Sequence, residues 1–137
     1  MKVVLDTNVL VSGLLSPYGR PAEIVRMVSS TELRLCFDAR ILSEYSEVLR
    51  RPKFQFDEEK VETILDHIER CGSLVAPSPL SSGLPDPDDE PFLAVAIAAR
   101  ADCLVTGNSA HFPRDRCEGI TVYSPASFLR YFKSQGG

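Results

Sequence analysis

Val3-Val4-Leu5-Asp6-Thr7-Asn8-Val9-Leu10 decides how this chain folds. Three apolar residues, two of them β-branched, suit a short strand buried on both faces. A carboxylate ends the run. Asn8 to Leu15 then reads as a helix, stopped by Ser16-Pro17-Tyr18-Gly19. A strand that turns at once into a helix begins an α/β unit, and it sets Asp6 on the carboxyl edge of the sheet, where ligands of open α/β folds bind.

The rest of the chain repeats that pattern. Pro21 suits the first turn of a helix running to about Val28, and Leu33 to Phe37 reads as a second strand. Asp38 and Asp57 cap helices over about Ala39–Leu49 and Glu58–Arg70, the second stopped by Gly72. Leu74-Val75 is a brief strand, and a loop rich in Pro, Ser and Gly covers Pro77 to Pro87. Asp89 to Ala99 is a helix with a small face of Ala94, Ala96, Ala98 and Ala99. Cys103 to Val105 and Ile120 to Tyr123 complete the strands, and Ser124-Pro125 opens a last helix to about Phe132. The order β-α-α-β-α-α-β-α-β-β-α predicts a three-layer α/β/α sandwich around a mainly parallel sheet of four or five strands. One domain over residues 1–137 is expected.

Composition excludes several classes of function. With 44% apolar residues the chain can bury a real core. A net charge of −4 argues against a wide basic face, so any contact with nucleic acid is local or bridged by metal. The four cysteines form no C-x-x-C pair, which argues against a zinc site, and no disulfide framework is expected. The longest apolar stretch, Phe92 to Ala99, is too short to span a bilayer. The cytoplasm is the expected compartment, with no membrane partner.

The acids are more telling than the apolar pattern. Asp6 ends the first strand. Glu44 shares a helix face with Ile41 and Val48, and Asp86, Asp88 and Asp89 open the alanine-rich helix. Each has an ordinary explanation as a cap or a solvated charge. Three acids in four residues exceed what one cap needs, and Asp89 lies four residues before Leu93 on the inward face. Acids that converge on one sheet edge repel unless a cation stands between them, and such an oxygen-rich set suits Mg²⁺ or Mn²⁺. Asn108 follows the fourth strand on that edge and can ligate the same ion, with Asn8, Asp86 and Thr106 in support. His111 and His67 read as surface or structural residues. Arg50, Arg51 and Lys53, and further on Arg114 and Arg116, are candidates for phosphate contacts that position a substrate without specifying sequence.

Taken together, Leu5-Asp6-Thr7-Asn8-Val9-Leu10, Ser43-Glu44-Tyr45-Ser46-Glu47-Val48-Leu49-Arg50-Arg51-Pro52-Lys53-Phe54, Asp86-Pro87-Asp88-Asp89 before Phe92-Leu93-Ala94, and Leu104-Val105-Thr106-Gly107-Asn108 resemble the PIN-domain family. The chain is most similar to its VapC-like subgroup, the toxins of prokaryotic toxin–antitoxin pairs. The likeness runs over nearly the whole chain. It implies a PIN-like sandwich whose sheet-edge acids hold Mg²⁺ or Mn²⁺ and whose substrate is single-stranded RNA. By position, Asp6, Glu44 and Asp89 would be the catalytic, metal-holding acids. A fourth acid often follows the fourth strand in the family. Here Asn108 stands in its place, so a second ion would bind more weakly. The resemblance also implies an antitoxin partner and a homodimer or higher oligomer.

Two other readings compete with a metal-dependent ribonuclease. Asp6-Thr7-Asn8-Val9 and Thr106 are similar in part to haloacid-dehalogenase-like phosphatases. Against this, Asn8 stands where that family has its second acid, and Asp88-Asp89 precedes the threonine. The other is a catalytically weak or inactive PIN-like module that binds RNA or protein, a reading that Asn108 keeps open.

Overall fold

The computed structural model describes residues 1–135. Five strands, β1 (Lys2–Leu5), β2 (Arg34–Phe37), β3 (Ser73–Leu74), β4 (Cys103–Val105) and β5 (Val122–Tyr123), form one parallel sheet in the order β3-β2-β1-β4-β5. Six α-helices connect and cover it: α1 (Thr7–Leu15), α2 (Arg20–Ser29), α3 (Ala39–Leu49), α4 (Glu58–Cys71), α5 (Glu90–Ala99) and α6 (Pro125–Ser134). The expected α/β/α architecture and its order of elements are therefore present.

β1 is the central strand, with Val3 opposite Cys103 and Leu5 opposite Val105. Val3, Val4 and Leu5 are fully buried, which is why the run is apolar at every position instead of alternating. From β1 the chain steps outward through β2 to β3, then returns across the sheet and steps the other way through β4 to β5. Right-handed crossovers put α1 to α4 on one face and α5 on the other. The packing agrees. A ring nitrogen of His67 in α4 lies 2.8 Å from the Val28 carbonyl of α2, and α6 also packs on α2. α5 lies across β1, β2 and β4, and its buried Ala94, Ala96 and Ala99 allow the close approach. The reversal of winding falls between β1 and β4, the place where open parallel sheets form a crevice at the carboxyl ends of their strands.

The predicted caps are made. Asp38 Oδ1 accepts from the Ile41 N–H at 2.9 Å, Asp57 Oδ1 from Glu59 N–H at 3.2 Å and Ser124 Oγ from Ser127 N–H at 3.1 Å. Gly72 does end α4, but with a φ of −86° it needs no left-handed freedom. Its constraint is space: a Cβ there would stand 2.5 Å from the Leu35 carbonyl oxygen and 2.6 Å from that of Ile68. Gly72→Ala is expected to cost about 1–3 kcal/mol, the range for overpacking, read as a lower urea midpoint at unchanged slope.

Strand ends differ from the sequence reading by a residue or two. β5 starts at Val122 because the Ile120 N–H is taken by the Cys117 carbonyl (2.9 Å) in a turn. β3 starts one residue early, although Val75 still donates to the Phe37 carbonyl at 3.0 Å. The last helix closes the core with buried Phe128 and Leu129, and its Tyr131 stacks on Tyr123 with ring centroids 5.1 Å apart. No helix among the described residues is long and apolar enough to cross a membrane.

Candidate metal centre at the sheet edge

Asp6 stays in the sheet through its backbone, whose N–H donates to the Val105 carbonyl at 2.9 Å. It occupies the position before α1, but its carboxylate is not used as a cap. Instead the Thr106 hydroxyl at the end of β4 donates to Asp6 Oδ2 at 2.8 Å, and the Asn8 amide approaches the same oxygen at 3.5 Å. Asn8 Oδ1 in turn accepts from the Gly107 N–H at 3.0 Å. Asp6 is 6% exposed and Thr106 is fully buried. Asn8 and Thr106 thus lock the ends of the two strands that flank the crevice, with a carboxylate held between them.

Glu44 reaches the same edge from α3, where its Oε2 accepts from the Thr7 hydroxyl. The next residue fixes the helix in place: the fully buried Tyr45 hydroxyl donates to the Leu5 carbonyl at 2.5 Å. Neither Thr7 nor Tyr45 was singled out by the sequence. Tyr45 occupies an ordinary apolar position of a helix, and only the tertiary fold brings its hydroxyl to the end of β1.

Asp89 closes a 3-10 turn (Pro87–Asp89) that leads into α5. Capping of that turn falls to Asp86, whose Oδ1 accepts from the Asp88 N–H at 3.0 Å, while Asp88 is exposed. Asp89 is left for other work. It is 9% exposed, and its buried Oδ2 has no aligned hydrogen-bond donor among the described residues. His111 Nδ1 stands 3.0 Å from that oxygen, an ion-pair distance without hydrogen-bond alignment.

Burial is the leading cause that raises the carboxyl pKa of Asp6, Glu44 and Asp89 alike. Hydrogen bonds from Thr106 and Thr7 partly offset it at Asp6, as does the Thr7 hydroxyl at Glu44. The charge of Asp6 raises both Glu44 and Asp89, and Asp89 is pushed up to about 6. Desolvated acids under the repulsion of Asp6, one of them with a buried oxygen that lacks an aligned donor, fit a hard divalent cation.

One close group of potential ligands includes residues outside the expected set. Among the described residues, the group of three potential ligands whose atoms all lie within 4.8 Å of one another is Asp86, Asp89 and His111. Asp86 was expected only in support and His111 as a surface residue, whereas Asp6 and Glu44 are not members of that close group. Asn108 was expected to ligate. Its amide nitrogen instead lies 2.9 Å from His111 Nε2, and its backbone N–H donates to Thr106 Oγ1 at 3.0 Å. No local pattern flags His111, which sits in a 3-10 turn (Ser109–His111) without periodicity.

The basic candidates are mostly engaged within the chain. Arg50 pairs with Glu58 at 2.8 Å and Glu62 at 2.5 Å across the α3–α4 turn, and Arg51 pairs with Glu47 at 3.1 Å. Lys53 is exposed and lies over the Phe54 ring, 5.1 Å from its centroid. Arg116 donates to the Gly83 carbonyl at 3.0 Å, and Arg114 is exposed.

A parallel sheet with buried carboxylates at its switch point defines the class: an α/β protein with an acidic crevice at the carboxyl edge. Residues 2–110 match the family model of the PIN domain, and the chain belongs to that family. PIN domains are generally nucleases, typically dependent on divalent metal. Among curated proteins, an uncharacterized protein of Methanocaldococcus jannaschii is 28% identical over 111 residues, spanning 79% of this chain and 71% of that one. Among solved structures, the fold matches a chain of VapBC2 from Rickettsia felis, crystallised bound to a DNA fragment from its promoter. The TM-score is 0.56 at 17% identity, over 90% of this chain and 98% of that one.

Proposed function

We propose that this chain is a divalent-metal-dependent endoribonuclease acting on single-stranded RNA, and the toxin of a toxin–antitoxin pair. The observation that carries the metal-dependent part is Asp89 Oδ2, buried and without an aligned donor, in the field of Asp6 at the switch point of the sheet. Asp6, Glu44 and Asp89 are the acids assigned to the centre, with Asn8, Asp86 and Thr106 holding the elements that carry them. When bound, Mg²⁺ or Mn²⁺ supplies Lewis-acid chemistry, making a water more acidic and neutralising charge on the scissile phosphate. The protein's own part is to fix that position. Thr106 orients Asp6, Thr7 orients Glu44, and the N-terminal end of α5 presents Asp89.

Family membership supports the nuclease class. The fold shared with a chain of the VapBC2 structure is the ground for proposing an antitoxin partner. The chain is acidic overall, with a net charge of −4, so RNA must be met by a few cations at the rim. Exposed Lys53 is the best placed of the three proposed near α3, because Arg50 would first have to give up two glutamates. Lys53→Ala is expected to weaken RNA binding evenly across sequences and to lower the salt slope by about one.

The direct test incubates the purified chain with labelled single-stranded RNA. Cleavage with Mn²⁺ or Mg²⁺ that stops on adding EDTA supports the proposal. RNA that is bound but left uncut at saturating Mn²⁺ would favour a binding module without catalysis.

A further inference from the structure

We infer that His111 is a metal ligand, oriented by Asn108, and that it makes this centre a mixed nitrogen–oxygen site favouring Mn²⁺ and related transition ions over Mg²⁺. The inference rests on the divalent-metal reading above and goes beyond it by assigning a ligand, a positioning residue and a metal preference.

Four observations converge on His111. First, Asp86, Asp89 and His111 each offer an atom within 4.8 Å of the others, from the 3-10 turn before α5 and the loop after β4. Second, Asp89 is 9% exposed and its Oδ2 lacks an aligned donor, so this buried oxygen has only the ion-pair contact of His111 beside it. Third, His111 Nδ1 approaches that oxygen to 3.0 Å without the alignment of a hydrogen bond. Ligands about 2.1 Å from an octahedral ion are separated by about 3.0 Å when adjacent, so the spacing suits two neighbours on one metal. Fourth, the other ring nitrogen already has a partner, with Asn108 Nδ2 2.9 Å from Nε2.

A metal-bound histidine characteristically donates its second ring N–H to a nearby polar group that fixes its orientation. With Nδ1 on the metal, Nε2 carries the proton and needs an acceptor. A half-turn of the Asn108 amide supplies its oxygen there, since the two ends of an amide have nearly the same shape. Asn108 is itself anchored, its backbone N–H donating to Thr106 Oγ1 at 3.0 Å while the Thr106 hydroxyl donates to Asp6. His111 is thereby tied to the same strand end as the central carboxylate. The His111 side chain is 44% exposed, which leaves the position open to an incoming ion. Imidazole suits first-row transition ions, whereas Mg²⁺ prefers oxygen and retains water.

The test uses MnCl₂ with the full chain. Pulsed electron paramagnetic resonance detects nitrogen bound to Mn²⁺ as a nuclear modulation of the electron spin echo. The wild type should show it, and His111→Ala should not. Mn²⁺ affinity should fall in that variant at least on the order of tenfold, as for losses around metal ligands, with a smaller change for Mg²⁺ in competition. Asn108→Ala should reduce the modulation depth at unchanged Tm, the mark of an orienting residue. His111 lies in a short, partly exposed turn, so loss of fold is not expected, and a matching circular-dichroism melt checks this. Bound Mn²⁺ without nitrogen modulation in the wild type overturns the inference and leaves the nuclease reading standing. Failure to bind Mn²⁺ at all overturns both.

Discussion

Asp6→Asn is expected to lower RNA cleavage by about 10²–10³-fold while leaving the fold intact. A correctly held divalent ion contributes several kcal/mol at a phosphoryl centre, and each 1.36 kcal/mol is tenfold in rate. Asn keeps the shape of Asp, and its amide oxygen still accepts from the Thr106 hydroxyl that now holds Asp6 at 2.8 Å. What disappears is the charge, in a residue only 6% exposed whose carboxyl burial already penalises. Activity and stability should therefore separate: the rate collapses and the thermal midpoint without metal holds or rises. Single-turnover cleavage at saturating Mn²⁺, with a melt on the same preparation, reads both. A variant that keeps more than about a tenth of the rate would remove Asp6 from the chemistry.

Asp89→Asn should stabilise the metal-free protein at neutral pH. Burial, followed by the charge of Asp6, pushes the Asp89 carboxyl up to about 6 from an ordinary 3.8. The folded state thus holds the proton to a higher pH than the unfolded chain. Between about pH 4 and pH 6 the folded state binds more protons, so stability falls as pH rises through that window and is lowest, for this group, above it. Asn carries no such penalty. In EDTA at pH 8 the variant should be more stable by on the order of 1–3 kcal/mol, a shift of about two units at 1.36 kcal/mol each being the upper bound. The gap should close near pH 4. Divalent metal reverses the order, since an ion bound only to the folded wild type stabilises it by mass action. Urea titrations at pH 8 and pH 4, with EDTA and with Mn²⁺, cover all arms. A variant less stable than wild type at pH 8 in EDTA would contradict the claim that Asp89 is held against its own repulsion.

Sequence periodicity carried the fold further than the site. Val3-Val4-Leu5 is apolar throughout because β1 is covered on both faces, and that marks it as a buried strand. Asp6, Asn8 and Thr106 were legible because each abuts a strand end, where side-chain position follows from chain order. Asp38 and Asp57 cap as read, and Ser124, read as the start of the last helix, caps it, since capping is local. Harder to read was whatever depends on pairing between distant segments. His111 lies in an irregular turn, and only the packing of α5 against β4 brings that turn to Asp89. Asp86 looked like a supporting acid because it stands in the run of acids before the helix, while its capping of the turn and its spacing to His111 are not visible in sequence. Arg50 and Arg51 looked available to phosphate because sequence shows charges without their partners. The Pro52–Phe54 turn folds α4 back so that Glu58 and Glu62 meet Arg50. Gly72 was read as a helix stop from its residue type, yet it is there because the Leu35 and Ile68 carbonyls leave no room for a Cβ.

A crystal soaked in Mn²⁺ and measured at the manganese absorption edge puts the central claim to its most direct trial. An anomalous peak at about 2.1 Å from a carboxylate oxygen of Asp89, on the side facing Asp6, is the predicted result. With Mn²⁺ saturating, no peak beside Asp89, or Asp6 and Asp89 bound to separate ions with none between them, would contradict a shared cation centre at the junction of β1 and β4.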